Sequence, residues 1–215
     1  MKESPAVKRA YRSSARAASA GATRVAIIEA AARLFIERGY GAVSIDDVAA
    51  DADVARATVF NAVGGKAALL RAAYDVAIVG DDEPVPLPDR PWARPVREAP
   101  DGPTMLDRYA HMVTVIDGRV ASIYEVLRGA ATAHDDVRAH WDEIRAGRRT
   151  GAENVVTMLA AHGPLRRGLS RSAAADVIEL LMDPGHHAHL VTQRGWSAKA
   201  FERWLADNLR HQLLD

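Results

Sequence analysis

SIDDVAADADVARATVFNAVGGK, residues 44–66, is the stretch whose reading decides the fold. Ser44 can accept the backbone N–H three residues on, and Asp47 at that position can reach back to the N–H of Ser44. This is the reciprocal capping box that starts a helix. Val48 and Ala49 then supply its buried face. Asp51-Ala52-Asp53 reads as a turn, and a second short helix is expected from about Ala55 to Val63. Two short helices joined by a turn of about three or four residues form a helix-turn-helix, whose second helix can lie in a DNA major groove. The spacing therefore predicts a DNA probe.

The flanking sequence supports that probe. A helix over Thr23–Arg38 places Ile27, Ala31, Leu34 and Phe35 on one side, and Gly39 suits its C-terminal end. Gly64-Gly65 breaks the chain after the second short helix. Lys66 then opens a helix through about Val79, with Leu69, Leu70, Ala73 and Val76 as its buried stripe. A lysine beside the free N–H groups of a helix start is suited to a phosphate contact, and a solvent-facing lysine is the plainer alternative.

From Thr23 to Leu70 the chain resembles the TetR/AcrR family of bacterial transcriptional regulators. Arg24, Ile27, Ala30-Ala31, Leu34-Phe35 and Gly39-Tyr40 match that family's first helix, and Ser44-Ile45 with Asp47-Val48-Ala49 matches its second. Val54 and Arg56-Ala57-Thr58-Val59-Phe60 match the recognition helix, and Lys66 with Leu69-Leu70 the start of the fourth. Farther on, Arg119–Ala131 and Arg194–Leu205 look like segments of one actinobacterial-type group of the same family. The resemblance implies an all-α protein with a DNA-reading head and a helical body that dimerises and holds a small molecule.

It also assigns residues. Arg56 and Thr58, with Ala57 between them, would face base edges, while Ser44, Asn61 and Lys66 would meet the DNA backbone. Phe60 stands where relatives carry a tyrosine whose hydroxyl bonds a phosphate. Three further departures concern the probe itself. Asp53 replaces the usual turn glycine at a position expected to need a positive φ, which aspartate tolerates. Ala55 replaces a capping serine, and Val63 a larger aromatic. These imply weaker positioning on DNA rather than lost function.

Composition sets only outer limits. With 215 residues the chain is long enough for a substantial core, and its ordinary apolar content makes a soluble globular protein the default. It has no cysteine, which excludes disulfides, thiolate chemistry and cysteine-based zinc sites and is compatible with the cytoplasm. No apolar run reaches the length of a membrane span. Residues 1–75 hold 11 Lys/Arg against 8 Asp/Glu and the remainder 17 against 20, so the DNA half carries +3 and the rest −3. That sign suits DNA.

Residues 1–22 hold Lys2, Lys8, Arg9, Arg12 and Arg16 against Glu3 alone. They are expected to form a basic flexible arm, either solvated or lying on phosphates. The head occupies 23–79. Seven prolines in 80–103 predict an extended, partly mobile linker. The effector-binding and dimerisation body is expected over 104–215, with helices over Thr104–Asp117, Arg119–Thr132, Asp135–Ala161, Ser170–Met182, Pro184–Arg194 and Ser197–Leu214.

Two of these helices carry broad apolar stripes: Ala174, Val177, Ile178 and Leu181 in one, and Phe201, Trp204, Leu205, Leu209 and Leu213 in the other. They are candidates for a homodimer interface, or else for the core of the single chain. Met105, His111, Met112, Tyr124, Trp141 and Met158 are candidate effector contacts, because amphipathic or adaptable side chains suit an apolar cavity; ordinary core is the alternative for each. His186, His187 and His189 are too few for a metal site without further ligands, so no metal and no cofactor are expected. G-x-S-x-G, glycine-rich phosphate-loop and H-E-x-x-H patterns are absent, so no enzyme is expected. The function expected is a repressor bound to palindromic, double-stranded operator DNA and released by an unidentified small-molecule effector. The alternative is a helical binding module with weak or lost DNA binding.

Overall fold

The computed structural model describes residues 5–81 and 85–215, with side chains from 19 onward except at 88. Every regular element among them is helical, and no helix is long and apolar enough to cross a membrane. The chain divides into two compact units, Met1–Asp75 and Val76–Asp215, so the division falls inside the fourth helix.

The first unit holds α1 (Pro5–Arg38), α2 (Ile45–Asp51), α3 (Arg56–Ala62) and most of α4 (Lys66–Val79). The first helix starts at Pro5, not at Thr23: residues 5–22, expected to be a flexible arm, continue α1 toward its N-terminus. Ala, Arg and Lys are strong helix formers, and the charge pattern that argued for a solvated tail does not oppose a helix. The side chains of Lys2, Lys8, Arg9, Arg12 and Arg16 lie outside the described residues. Gly39 ends α1 with a φ of 78° and its N–H bonded to the Phe35 carbonyl at 2.9 Å. Ile27, Ala31, Leu34 and Phe35 of α1 are buried, as are Val48, Val59, Leu69 and Leu70, and α1 packs on α2 and α3.

The second unit is built on α6 (Gly102–Ala130), a single helix where two were expected. The two expected helices part at Gly118, but a helical glycine costs only about 0.5–1 kcal/mol. Burial of Val113, Val120, Ala121, Tyr124 and Leu127 on either side of it outweighs that. Around α6 stand α7 (Asp135–His162), α8 (Arg171–Leu181), α9 (Pro184–His187) and α10 (Ala198–Leu213). A π-helical turn over Ala188–Gln193 continues α9 where one regular helix was expected. Side chains cap these helices as the sequence suggests: Ser170 accepts from Ala173 N–H, Asp183 from Gly185 N–H and Ser197 from Ala200 N–H.

The proline-rich segment is not an extended linker along its described length. It folds into short turns over Leu87–Asp89 and Pro91–Ala93, then α5 (Arg94–Arg97), since proline's fixed φ suits the first position of a helical turn. Arg90, 4% exposed, bonds the Val85 carbonyl at 3.0 Å and the Asp81 carboxylate at 2.6 Å. Val96 and Ala99 join the body's core, and Arg108 of α6 donates to the Pro95 carbonyl at 2.8 Å. Residues 85–99 thus make a strap on α6.

The proposed dimer stripes need correction. Ala174, Ile178, Phe201, Leu205, Leu209 and Leu213 are all fully buried in the core of their own chain, so they cannot meet a partner. Only Val177, Leu181 and Trp204 remain partly open. The stripes are real, but periodicity says that a face is buried without saying against what. Leu205→Ala should accordingly cost about 2–5 kcal/mol of stability in urea unfolding, as for other core truncations. Leu205→Glu should give unfolded protein, not folded monomers, in circular dichroism and light scattering.

Candidate DNA-reading face and buried polar cluster

The helix-turn-helix is set by local bonds and a few anchors. The Ser44 hydroxyl accepts the Asp47 N–H at 3.1 Å while the Asp47 carboxylate accepts the Ser44 N–H at 2.7 Å, closing the capping box. The Ser44 hydroxyl and N–H hold the Asp47 carboxyl below the usual carboxylate range. Asp53 has a φ of 53°, the one positive φ outside glycine among the described residues. Ala55 starts α3 with no side-chain cap. Val59 is fully buried beneath α3, and Arg24 of α1 bonds the Ala62 carbonyl at its far end at 2.7 Å. Val63, which stands in place of a larger aromatic, is half-buried.

This leaves Arg56, Ala57, Phe60 and Asn61 on the exposed side of α3, with Phe60 44% exposed. Thr58, expected on the same side, is half-buried. Ser44 is exposed at the start of α2, although its hydroxyl is already engaged with Asp47. The Lys66 ammonium lies 4.3 Å from the Tyr40 ring centroid and 3.5 Å from the Gly41 carbonyl, so a cation–π contact pre-positions it at the start of α4. The Arg56 guanidinium is stacked 5.5 Å over Phe60 and paired with Asp46 of α2. Both members of that pair are more than half exposed, so it contributes under about 1 kcal/mol and yields readily to another anion. Asp46 was not singled out from sequence; its tie to Arg56 crosses the turn and has no periodic signature.

In the body, the six candidate effector contacts do not line one cavity. Met105 is fully buried core, and Met158 packs at the core's margin. His111 and Met112 lie on a shallow open cleft of about 280 Å³ beside Trp92 and Pro95, where His111 meets Glu202 at 3.0 Å. Tyr124 and Trp141 meet elsewhere, their rings tilted by 52° with centroids 5.1 Å apart. The three neighbouring histidines part company as well. His186 bonds the Leu180 carbonyl and meets the Trp204 ring, His187 packs edge-on against Phe201, and His189 turns to Gln193.

A partly buried polar cluster that sequence reasoning missed lies in the body. Arg148 of α7 reaches the Asp183 carboxylate at 3.1 Å, the Glu179 carbonyl at 3.0 Å and the Tyr124 hydroxyl. The same hydroxyl donates to Asp183 at 2.9 Å. Burial works to raise the Asp183 carboxyl, but the Gly185 N–H and Arg148 outweigh it and hold the group below its ordinary value.

Asp117, also of α6, is 2% exposed, and its Oδ2 has no hydrogen-bond partner. Burial pushes its carboxyl up to about 8, opposed by Arg148 and reinforced by Asp183. The signal was available, since Asp117 stands in phase with Val113, Val120 and Tyr124, a charge on an apolar stripe. Reading Asp117-Gly118 as a helix end hid it.

The sign of the pH dependence follows. Between about pH 4, where an unfolded aspartate ionises, and about pH 8, the folded protein holds a proton on Asp117 that the unfolded chain has lost. The folded state binds more protons there, so this group's contribution to stability falls as pH rises through that window and levels off above it. Asp117→Asn removes the titration while keeping the shape. It should be more stable than the parent, by on the order of a few kcal/mol at about pH 8.5 and by clearly less at about pH 5.5. Urea unfolding at the two pH values measures the difference; an equal gain at both would mean that the carboxyl is hydrated.

Comparison with known proteins agrees with this geometry. Residues 27–73 match the family model for bacterial regulatory proteins of the tetR family. No curated protein matches the chain. Among solved structures, a TetR-family transcriptional regulator from Rhodococcus sp. is similar at 18% identity and a TM-score of 0.63, over 88% of this chain and 98% of that one. A transcriptional regulator from Saccharomonospora viridis in complex with choline has 18% identity and a TM-score of 0.66, over 89% and 97%. NalD, the secondary repressor of the MexAB-OprM multidrug efflux pump in Pseudomonas aeruginosa, has 18% identity and a TM-score of 0.66, over 89% and 96%. Residues 27–73 thus match the tetR family model, and the chain shares its helical fold with solved transcriptional regulators.

Proposed function

We propose that the protein is a homodimeric transcriptional repressor that grips a two-fold symmetric operator through α3 and lets go when a small molecule enters the body. The observation that carries this is the exposed face of Arg56, Ala57, Phe60 and Asn61 on a recognition helix anchored from behind by Val59 and Arg24. Release by a small molecule is supported by the choline complex of the regulator from Saccharomonospora viridis, and the repressor sign by NalD. A gel shift on the protein's own upstream DNA against nonspecific competitor tests the first half. A binding module without DNA activity, the reading that Ala55 and Phe60 would favour, has no preferred sequence there.

The contacts divide by chemistry. Arg56 leaves Asp46 for a guanine edge, so Arg56→Ala should cost about 1–3 kcal/mol per half-site and flatten preference at one base pair. Lys66 holds a phosphate, so Lys66→Ala should weaken all sequences alike and reduce the salt slope by about one per half-site. Phe60→Tyr restores a phenolic donor and should tighten binding. Titrating operator and scrambled DNA with each variant at several salt concentrations separates the three, and an unchanged base preference in Arg56→Ala means that α3 is turned differently.

For the dimer, the open residues of α8 and α10 replace the buried ones. Leu180, 64% exposed, stands with Val177, Leu181 and Trp204 on the outer side of these helices. Two recognition helices on a two-fold DNA site require a two-fold protein, which makes a second copy the fitting occupant. Leu180→Glu should therefore yield folded monomers in light scattering at micromolar concentration, with operator affinity falling in parallel. A dimer that persists moves the interface elsewhere.

A further inference from the structure

DNA is an array of negative charges, and a face built to meet it gains nothing in affinity from an acid. Asp46 is such an acid. It stands in the first turn of α2, and its carboxylate reaches across the turn to the Arg56 guanidinium at 2.5 Å, on the exposed side of α3. The Asp46 side chain is 65% exposed and that of Arg56 55%, so water reaches both, and the pair is no part of the core that holds the head together. The helix-turn-helix has its own fastenings in the Ser44–Asp47 capping box, Val59 and Arg24. An acid in the first turn does favour a helix through its dipole, but Asp47 already supplies one there and makes the cap besides.

What Asp46 does hold is the only charged residue of α3. The Phe60 ring lies 5.5 Å from the same guanidinium, so carboxylate and ring together draw the side chain toward α2. A guanine edge offers its N7 and O6 as acceptors to that guanidinium, so Asp46 and guanine compete for one group. We propose that Asp46 is a built-in competitor of the operator: it occupies Arg56 in the free protein, and a specific complex has to break that pair and leave the carboxylate facing DNA without its partner. This rests on reading α3 as the recognition helix, and names a residue that sets how tightly the operator is held.

The effect differs between DNA sequences. Where no guanine meets Arg56 the pair stays closed and its energy is kept, whereas on the operator that energy is given up. Asp46 therefore lowers affinity for the operator more than for other DNA, and its removal raises affinity and selectivity together. A surface acid that merely repels phosphates behaves otherwise, since removing it tightens all DNA alike. The pair itself bounds the size, because exposed ion pairs hold their partners by no more than about fivefold.

The test titrates the full chain and its variants, by fluorescence anisotropy, against the upstream DNA that the unaltered protein prefers and against scrambled DNA. Asp46→Asn should bind the preferred DNA about two- to fivefold more tightly per half-site, and gain less on scrambled DNA. Asp46→Glu keeps a carboxylate able to reach Arg56 and should bind like the unaltered protein. In an Arg56→Ala background there is no pair to break, so Asp46→Asn should there tighten the two DNAs equally. Operator binding that is unchanged or weaker in Asp46→Asn overturns the proposal, as does an equal gain on both DNAs or a selective gain that survives in Arg56→Ala. Weaker binding with a lower melting temperature assigns Asp46 to the α2 dipole instead. An unaltered protein without preferred DNA ends the recognition reading and this inference with it, whereas one that prefers its operator beside an Asp46→Asn variant that gains nothing ends this inference alone.

Discussion

A seven-residue helix cannot hold itself together in water, because nucleation costs more than so few hydrogen bonds return. α3 is such a helix, and it begins without a side-chain cap. Its existence depends on burying Val59 where α3 packs on α1 and α2, and on Arg24 bonding the Ala62 carbonyl at its end. Everything else in the head serves that constraint: the capping box on α2, the left-handed Asp53 in the turn, and the cation–π contact at Lys66 all fix the frame in which α3 is presented. What remains facing outward is free to be chosen for DNA. Arg56 is held there by an exposed acid and an exposed ring, a weak hold that a guanine edge or phosphate can replace.

The body solves the opposite problem. Its long helix has apolar surface enough to stabilise it, and it gives some of that stability away. Placing Asp117 on the buried stripe introduces a group whose charged form the interior rejects, so the carboxyl keeps its proton to unusually high pH. The neighbouring Arg148–Asp183–Tyr124 set bonds among its own members, and Arg148 opposes that shift only in part. Unpaired buried polar groups concentrate at functional sites for this reason, since a site completed in advance has nothing left to offer a ligand.

Several expectations survived because they rest on interactions between residues three or four apart. Ser44 with Asp47, Ser170 with Ala173 and Ser197 with Ala200 are short-range bonds, visible in any sequence that contains them. The others failed where a local signal competed with packing. Gly118 looked like an end to a helix that burial carried through, and the prolines of 85–103 looked like an open linker, yet Val96 and Ala99 join the core and Arg108 of α6 bonds the Pro95 carbonyl. The effector candidates were chosen by residue type, which does not say which of them converge.

By itself, then, the sequence determined the helical class and the helix-turn-helix with its cap and turn, because these follow from spacing and from bonds within a few residues, and it placed Arg56, Ala57, Phe60 and Asn61, though not Thr58, on the exposed side of α3. Only the tertiary structure decided that the stripes of α8 and α10 turn into their own core, that Asp46 holds Arg56, and that Asp117 is stranded beside a satisfied Arg148. Those outcomes depend on which distant surfaces meet, and burial free energy is settled among elements tens of residues apart, where no local pattern records it.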